Sequence, residues 1–245
     1  MASQLAILLF LLIILLLTLL VSRRQQMPSL RSVSAFDELP DQTARAVESG
    51  QTLHLSLGTG GVGGSDTVTS LASLSALAHL AERGVTTDTP PLVTISDPTL
   101  FPLAQNVLRQ AYARRGRGGD FRWTQVRLVS PSPMAYALGT MDILSHEPVL
   151  ANVMLGAFGP EVGLIARAGA ESNIAQISGS DDPRALAMLY ASTDHVVVGE
   201  ELYATGTYLD PTPAKVASLA AEDIARLVLI LFVILFASLR LAGVL

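Results

Sequence analysis

Between residues 52 and 206 the chain repeats one pattern: a short β-branched or leucine-rich run, a small polar loop, then an amphipathic stretch. The strand candidates are Thr52–Leu57, Leu92–Ser96, Gln125–Ser130, Ala151–Leu155, Ile174–Ile177 and His195–Val198. Helices are expected over Asp66–Arg83, Leu100–Arg115, Pro133–Ser145, Glu161–Ala170, Pro183–Ala191 and Glu200–Gly206, after a short one over Asp41–Ser49 that Gly50 ends. In the first long helix Val68, Leu71, Leu74, Leu77 and Leu80 recur at helical spacing, which predicts one apolar stripe. Alternating β and α units of this kind predict an α/β fold with a mostly parallel sheet of about six strands and helices on both faces. Right-handed crossovers make it doubly wound and Rossmann-like. The pattern does not contain the strand order.

Both ends of the chain are apolar. Leu5–Val21 has no charge, and neither has Leu227–Leu239, after which Leu241–Leu245 continues apolar beyond Arg240. Crossing about 30 Å of hydrocarbon takes roughly 20 helical residues. Both segments read as transmembrane helices, the second with Arg240 snorkelling. The expected organisation is a transmembrane helix over 1–22, a linker over 23–35, the Rossmann-like domain over 36–210, and a juxtamembrane and transmembrane helix over 211–245 that starts near Pro213. Met1-Ala2-Ser3-Gln4 lacks a basic side chain and Arg23-Arg24 follows the apolar run, so the first segment reads as an uncleaved anchor. Arg23, Arg24, Arg31, Lys215 and Arg226 flank the segments on the domain side, against Arg240 on the far side. The positive-inside rule then makes this a two-pass protein of the cytoplasmic membrane, with a cytoplasmic domain and both termini outside.

Composition narrows the function classes. There is no cysteine, which removes disulfides, thiol nucleophiles and Cys-ligated metals. A net charge of -5 gives no case for nucleic acid as a partner. Lys215 is the single lysine and lies beyond the domain, so P-loop, Schiff-base and pyridoxal chemistries lack their required residue.

In a parallel sheet the ligand crevice faces the loops at the carboxyl ends of the strands. The first such loop is Gly58-Thr59-Gly60-Gly61-Val62-Gly63-Gly64-Ser65-Asp66, in which Gly58, Gly60 and Gly63 fit the G-x-G-x-x-G spacing between a strand and a helix. Such glycines let the backbone approach a phosphate resting on the helix N-terminus, which points to a nucleotide or dinucleotide. Asp97, at the end of the second strand, is placed for ribose hydroxyls. Asp66 would repel a phosphate, and with Ser65 it also suits a helix cap. The simpler reading of the loop is a tight turn needing positive φ. Glu161 and the Ser178–Asp182 loop, with Ser178 and Asp181, would line the same crevice. These loops also read as ordinary N-caps, or as an oxygen-rich cleft for a divalent cation.

The four histidines show no ligand spacing, and neither G-x-S-x-G nor H-E-x-x-H occurs. Arg109, Arg114, Arg115, Arg117, Arg122 and Arg127 gather around the loop leading into the third strand, read as a solvated loop or as a contact for anionic headgroups.

The segments Phe36-Asp37-Glu38-Leu39-Pro40, Leu53 through Gly61, Asp97-Pro98-Thr99, Ala151 through Glu161, and Asp194-His195 with Gly199-Glu200-Glu201-Leu202 together resemble a bacterial family of membrane-anchored proteins known as a domain of unknown function. The resemblance covers residues 36–209 and implies no activity. The residues themselves favour ligand binding in a sensing or assembly role over turnover. The alternatives are a structural subunit of a membrane-bound homo-oligomer, and a nucleotide-dependent oxidoreductase or hydrolase.

Overall fold

The computed structural model describes residues 30–241. They fall into two units, an α/β body over Ser32–Leu209 and a second unit to which the chain from Asp210 onward belongs. The body runs α1 (Ser34–Ser49), β1 (Thr52–Gly58), α2 (Thr67–Thr86), β2 (Leu92–Ile95), α3 (Phe101–Arg114), two single 3₁₀ turns, β3 (Val126–Leu128), α4 (Pro133–His146), β4 (Val149–Ala157), α5 (Val162–Glu171), β5 (Ala175–Ser180), α6 (Pro183–Ser192), β6 (His195–Val198), α7 (Glu200–Tyr203) and α8 (Thr205–Leu209). Beyond it lies α9 (Pro213–Leu241).

The six strands are parallel and ordered β3-β2-β1-β4-β5-β6. This is the doubly wound, Rossmann-like order. From β1 the chain steps outward to β3, then returns to β4 and steps outward the other way. Right-handed connections therefore place α2 and α3 on one face and α4, α5 and α6 on the other. That leaves the first face without a crossover helix over β5 and β6. Helix α1 takes the vacant place: its Ala35, Phe36, Leu39 and Ala46 join Leu155, Ile177 and Val197 in one apolar core with Leu77 and Leu80 of α2. The opposite face packs Tyr136, Leu144, Ile165 and Leu189 over Met154. A ring stack of Phe36 on Tyr208, 5.1 Å between centroids, brings the two ends of the body together.

Three expectations change. Helix α1 begins at Ser34, inside the expected linker, and runs through Pro40 instead of starting after it. The turn before the proline buries Ala35, Phe36 and Leu39, and that packing overrides the missing N–H. Gly50 does end the helix, at φ 66. The apolar stripe of α2 is not one face: Leu74, Leu77 and Leu80 are buried, whereas Val68 is 61% and Leu71 51% exposed. Repeats of i, i+3 fall 60° short of a full turn at each step, so five in succession wind around a helix. Small residues fill the buried side instead, Ser70, Ser73, Ala76 and Ala81 among them. Finally, the helix expected over Glu200–Gly206 is two short ones, α7 and α8, that meet at Ala204.

The first apolar segment, Leu5–Val21, lies outside the described residues. Among the described residues no helix is long and apolar enough to cross a membrane. The single long helix expected from Pro213 is present as α9, and part of its apolar run has side chains outside the description.

Candidate functional site

The order of the sheet reverses between β1 and β4, and the loops that follow these two strands leave in opposite directions above the gap. Gly58 ends β1 at φ 86, a conformation that strains other residues. A Cβ there would run into the carbonyl of Ala157, and a Cβ at Gly156 would run into the carbonyl of Leu57. Thr59 N–H donates to Ala157 O at 2.8 Å. One glycine on each strand thus lets the two backbones close together under the crevice. Gly156, beyond the expected end of the fourth strand at Leu155, lies inside β4, which runs to Ala157.

The Gly58–Asp66 loop folds back on itself through hydroxyls. Gly60 is tight against Ala157 and Asp66, each about 2.8 Å from where its Cβ would be. Val62 N–H donates to Thr99 Oγ1 at 2.9 Å, and Gly63 N–H to Thr67 Oγ1 at 2.9 Å with φ 105 at Gly63. Thr67 in turn donates to the carbonyl of Gly64 at 2.7 Å, Ser70 to that of Gly61 at 3.2 Å, and Ser65 to Asp66 Oδ1 at 2.8 Å. Part of the expected phosphate-binding backbone is therefore held by side-chain oxygens.

Asp97 follows β2 and stands against Gly61, where a side chain would overlap its carboxyl group. Its Oδ1 is fixed by Thr99 N–H at 2.7 Å and by the Thr99 hydroxyl. The acid expected for a ribose is thus packed on the glycine loop, despite the long unit between them. Glu161 accepts from Gly159 N–H at 2.9 Å, and Asp181 from Thr69 Oγ1 at 2.6 Å. Ser178 departs from expectation: β5 continues through Ser180, so Ser178 is inside the strand, fully buried, and shares a hydrogen bond with Thr193 at 2.7 Å. Asp182 caps α6 through Arg184 N–H, and the Arg184 guanidinium holds its carboxyl below the usual range.

The edge is thus rich in acceptors. Asp66, Asp97, Glu161 and Asp181 face this side from four segments, while Arg184 is paired with Asp182. Among the described residues no group of three or more His, Asp or Glu is placed to hold a metal ion.

Beneath β1 and β4 lies a buried polar layer that the sequence did not reveal as a unit. Asn152 Nδ2 donates to Gln176 Oε1 at 3.3 Å, which turns Asn152 Oδ1 toward His54 Nδ1 at 2.7 Å. His54 must donate there, so its Nε2 accepts from Thr94 Oγ1 at 2.9 Å. Thr94 also bonds the Tyr136 hydroxyl at 2.9 Å, and Tyr136 bonds Ser56. Gln176 Nε2 closes the layer on Ala166 O and Ser192 O. Burial lowers the His54 pKa from 6.5 to about 4 and raises that of Tyr136. This neutral, paired histidine is part of the core.

The arginine group at the amino edge is partly neutralised. Arg114 pairs with Glu82, Arg117 with Asp88 and Asp120, and Arg127 with both oxygens of Glu147.

The chain belongs to the family described as Domain of unknown function (DUF6754), whose model matches residues 1–244. No curated protein and no solved structure matches it.

Proposed function

We propose that the α/β body is a membrane-held binding domain that takes a nucleotide at the crevice between β1 and β4, in a sensing or assembly role. The observation that carries this reading is the Asp97 carboxylate, after β2, packed on Gly61 of the loop that leaves β1 beside the point where the strand order reverses. A carboxylate there accepts from a ribose diol while the glycine backbone lies beside the phosphates. The Thr67 and Thr99 hydroxyls rotate about single bonds, so a bound phosphate can replace them at Gly63 and Val62. Groups converging on the crevice are carboxylates, hydroxyls and backbone N–H, a set suited to recognition.

Membrane attachment rests on hydropathy and exposure. In α9 Leu227, Val228, Leu229 and Ile230 are each at least half exposed, and four successive helical residues look out in nearly every direction. Apolar side chains all around a helix suit lipid. With the Leu5–Val21 segment, this makes a two-pass anchor, and the Arg and Lys bias puts the body in the cytoplasm.

The full chain should need detergent to leave the membrane fraction. Titrated calorimetrically in detergent with ADP and NAD, it should show saturable binding that Asp97→Asn weakens at least about tenfold and Gly60→Val abolishes. No saturable heat with either nucleotide, or affinities unchanged in both variants, would sink the nucleotide reading.

A further inference from the structure

The nucleotide crevice leaves one corner of the body unused. At the amino edge of the sheet α2 ends at Thr86, α3 ends at Arg114, and two 3₁₀ turns, Gly118–Asp120 and Trp123–Gln125, lead into the edge strand β3. From Arg109 to Arg127 the chain holds six arginines and one carboxylate, Asp120, in a protein of net charge -5. Four acids, Glu82, Asp88, Asp120 and Glu147, engage Arg114, Arg117 and Arg127. Arg83, Arg109, Arg115 and Arg122 are exposed and have no carboxylate partner among the described residues.

The same corner presents a large apolar ring. Trp123, the chain's single tryptophan, is 61% exposed. It is held from beneath: Phe121 meets it edge-on at 5.1 Å between centroids, and Phe121 meets Tyr112 of α3 in the same way at 6.0 Å. Tyr112 is buried, and its hydroxyl accepts from Gln125 Nε2 at 2.7 Å. A ladder of rings rooted in the core thus holds the indole outward, next in sequence to Arg122. An indole combines an apolar body with one N–H donor, the combination that the headgroup layer of a bilayer accommodates. Guanidiniums pair with phosphate through two parallel bonds. Nucleic acid also offers phosphates and stacking surfaces, but the chain's overall negative charge opposes a polyanion.

We propose that this corner docks the body on anionic lipid, with Trp123 in the headgroup layer and Arg83, Arg109, Arg115 and Arg122 on lipid phosphates. The inference rests on the membrane attachment proposed above, which holds the body beside the cytoplasmic leaflet, the one rich in anionic lipid. Docking by the amino edge turns the carboxyl edge, with its acidic crevice, away from the bilayer.

Being the single tryptophan, Trp123 is its own probe. The full chain is reconstituted in vesicles of phosphatidylcholine alone, and of phosphatidylcholine with phosphatidylglycerol. In the anionic vesicles its emission should shift to shorter wavelength and be quenched by brominated lipid. In the neutral ones it should remain that of an exposed indole. Raising salt from about 0.1 M to about 1 M, which cuts the screening length from about 10 Å to about 3 Å, should reverse the shift. Arg83→Gln, Arg109→Gln, Arg115→Gln and Arg122→Gln together should abolish it, and the same four changed to Lys should keep it. Asp97→Asn, at the nucleotide crevice, should leave it unaltered. Flotation with neutral vesicles tests the anchors by themselves, so failure of the attachment and failure of the docking are distinguishable. The docking proposal falls if the emission is the same in both kinds of vesicle, or if the four-Gln variant responds like the parent chain. It falls too if the shift comes without quenching by brominated lipid, which would mean that protein such as a second copy covers the ring. A shift produced in neutral vesicles by a single-stranded oligonucleotide would likewise overturn it.

Discussion

The two faces of the central strands are built on different rules, although they alternate along the same residues. On the side of α1 and α2, β1 presents Leu53, Leu55 and Leu57, and β4 presents Ala151, Val153 and Leu155. On the side of α4 and α5, the same strands present His54 and Ser56, then Asn152 and Met154. The apolar face is held by burial, which has no direction and tolerates changes of shape that keep volume. The polar face is held by a chain of directed bonds that runs from Thr94 through His54 and Asn152 to Gln176. A burial-driven face loses stability in proportion to what is removed. A bonded face loses it by leaving partners behind, because a buried unpaired group costs far more than the net worth of its bond.

Substitutions of matched size should expose that contrast most strongly. Asn152→Leu leaves both His54 Nδ1–H and Gln176 Oε1 unpaired, and should cost about 4 kcal/mol in denaturant unfolding. A loss below about 1 kcal/mol would mean that the layer is not bonded as described.

Acid should act on the polar face by nearly as much. Because burial holds the folded His54 near 4 against 6.5 when unfolded, the unfolded chain takes up the proton first as pH falls. Stability from this residue is complete above pH 6.5, declines between 6.5 and 4, and levels off below. The loss should come to about 3 kcal/mol. His54→Gln should lack this limb, so the difference between the two stability curves from pH 7 to 4 measures it. Parallel curves would contradict a neutral, buried imidazole.

The smallest effect belongs to the apolar face. Leu55→Met keeps volume in a site with no exposure and should cost less than about 1.5 kcal/mol. A penalty as large as that of Asn152→Leu would erase the distinction between the faces.

The glycine loop, Asp97, Glu161 and Asp181 were legible as edge residues because strand, turn and helix signals are local and because parallel sheets gather such loops at one edge. Ser178 was misplaced since its strand continues through Ser178-Gly179-Ser180, small residues that read as a loop. The start of α1 was obscured by Pro40, whose local penalty the burial of Phe36 and Leu39 outweighs. His54 falls in the middle of the first expected strand, but its partners lie on other strands. They become neighbours through register alone, His54 beside Asn152 and Asn152 beside Gln176.

By itself, then, the sequence determined the alternation of strands and helices, the parallel α/β class, the glycine-rich turn after the first strand and the apolar character of both ends. Each follows from residues within a few positions of one another, where periodicity, turn chemistry and charge are complete. The tertiary structure alone decided the strand order, the helix that covers the face left bare by the crossovers, and the polar layer. Those depend on which distant segments become neighbours, and that is set by how the apolar faces are jointly buried.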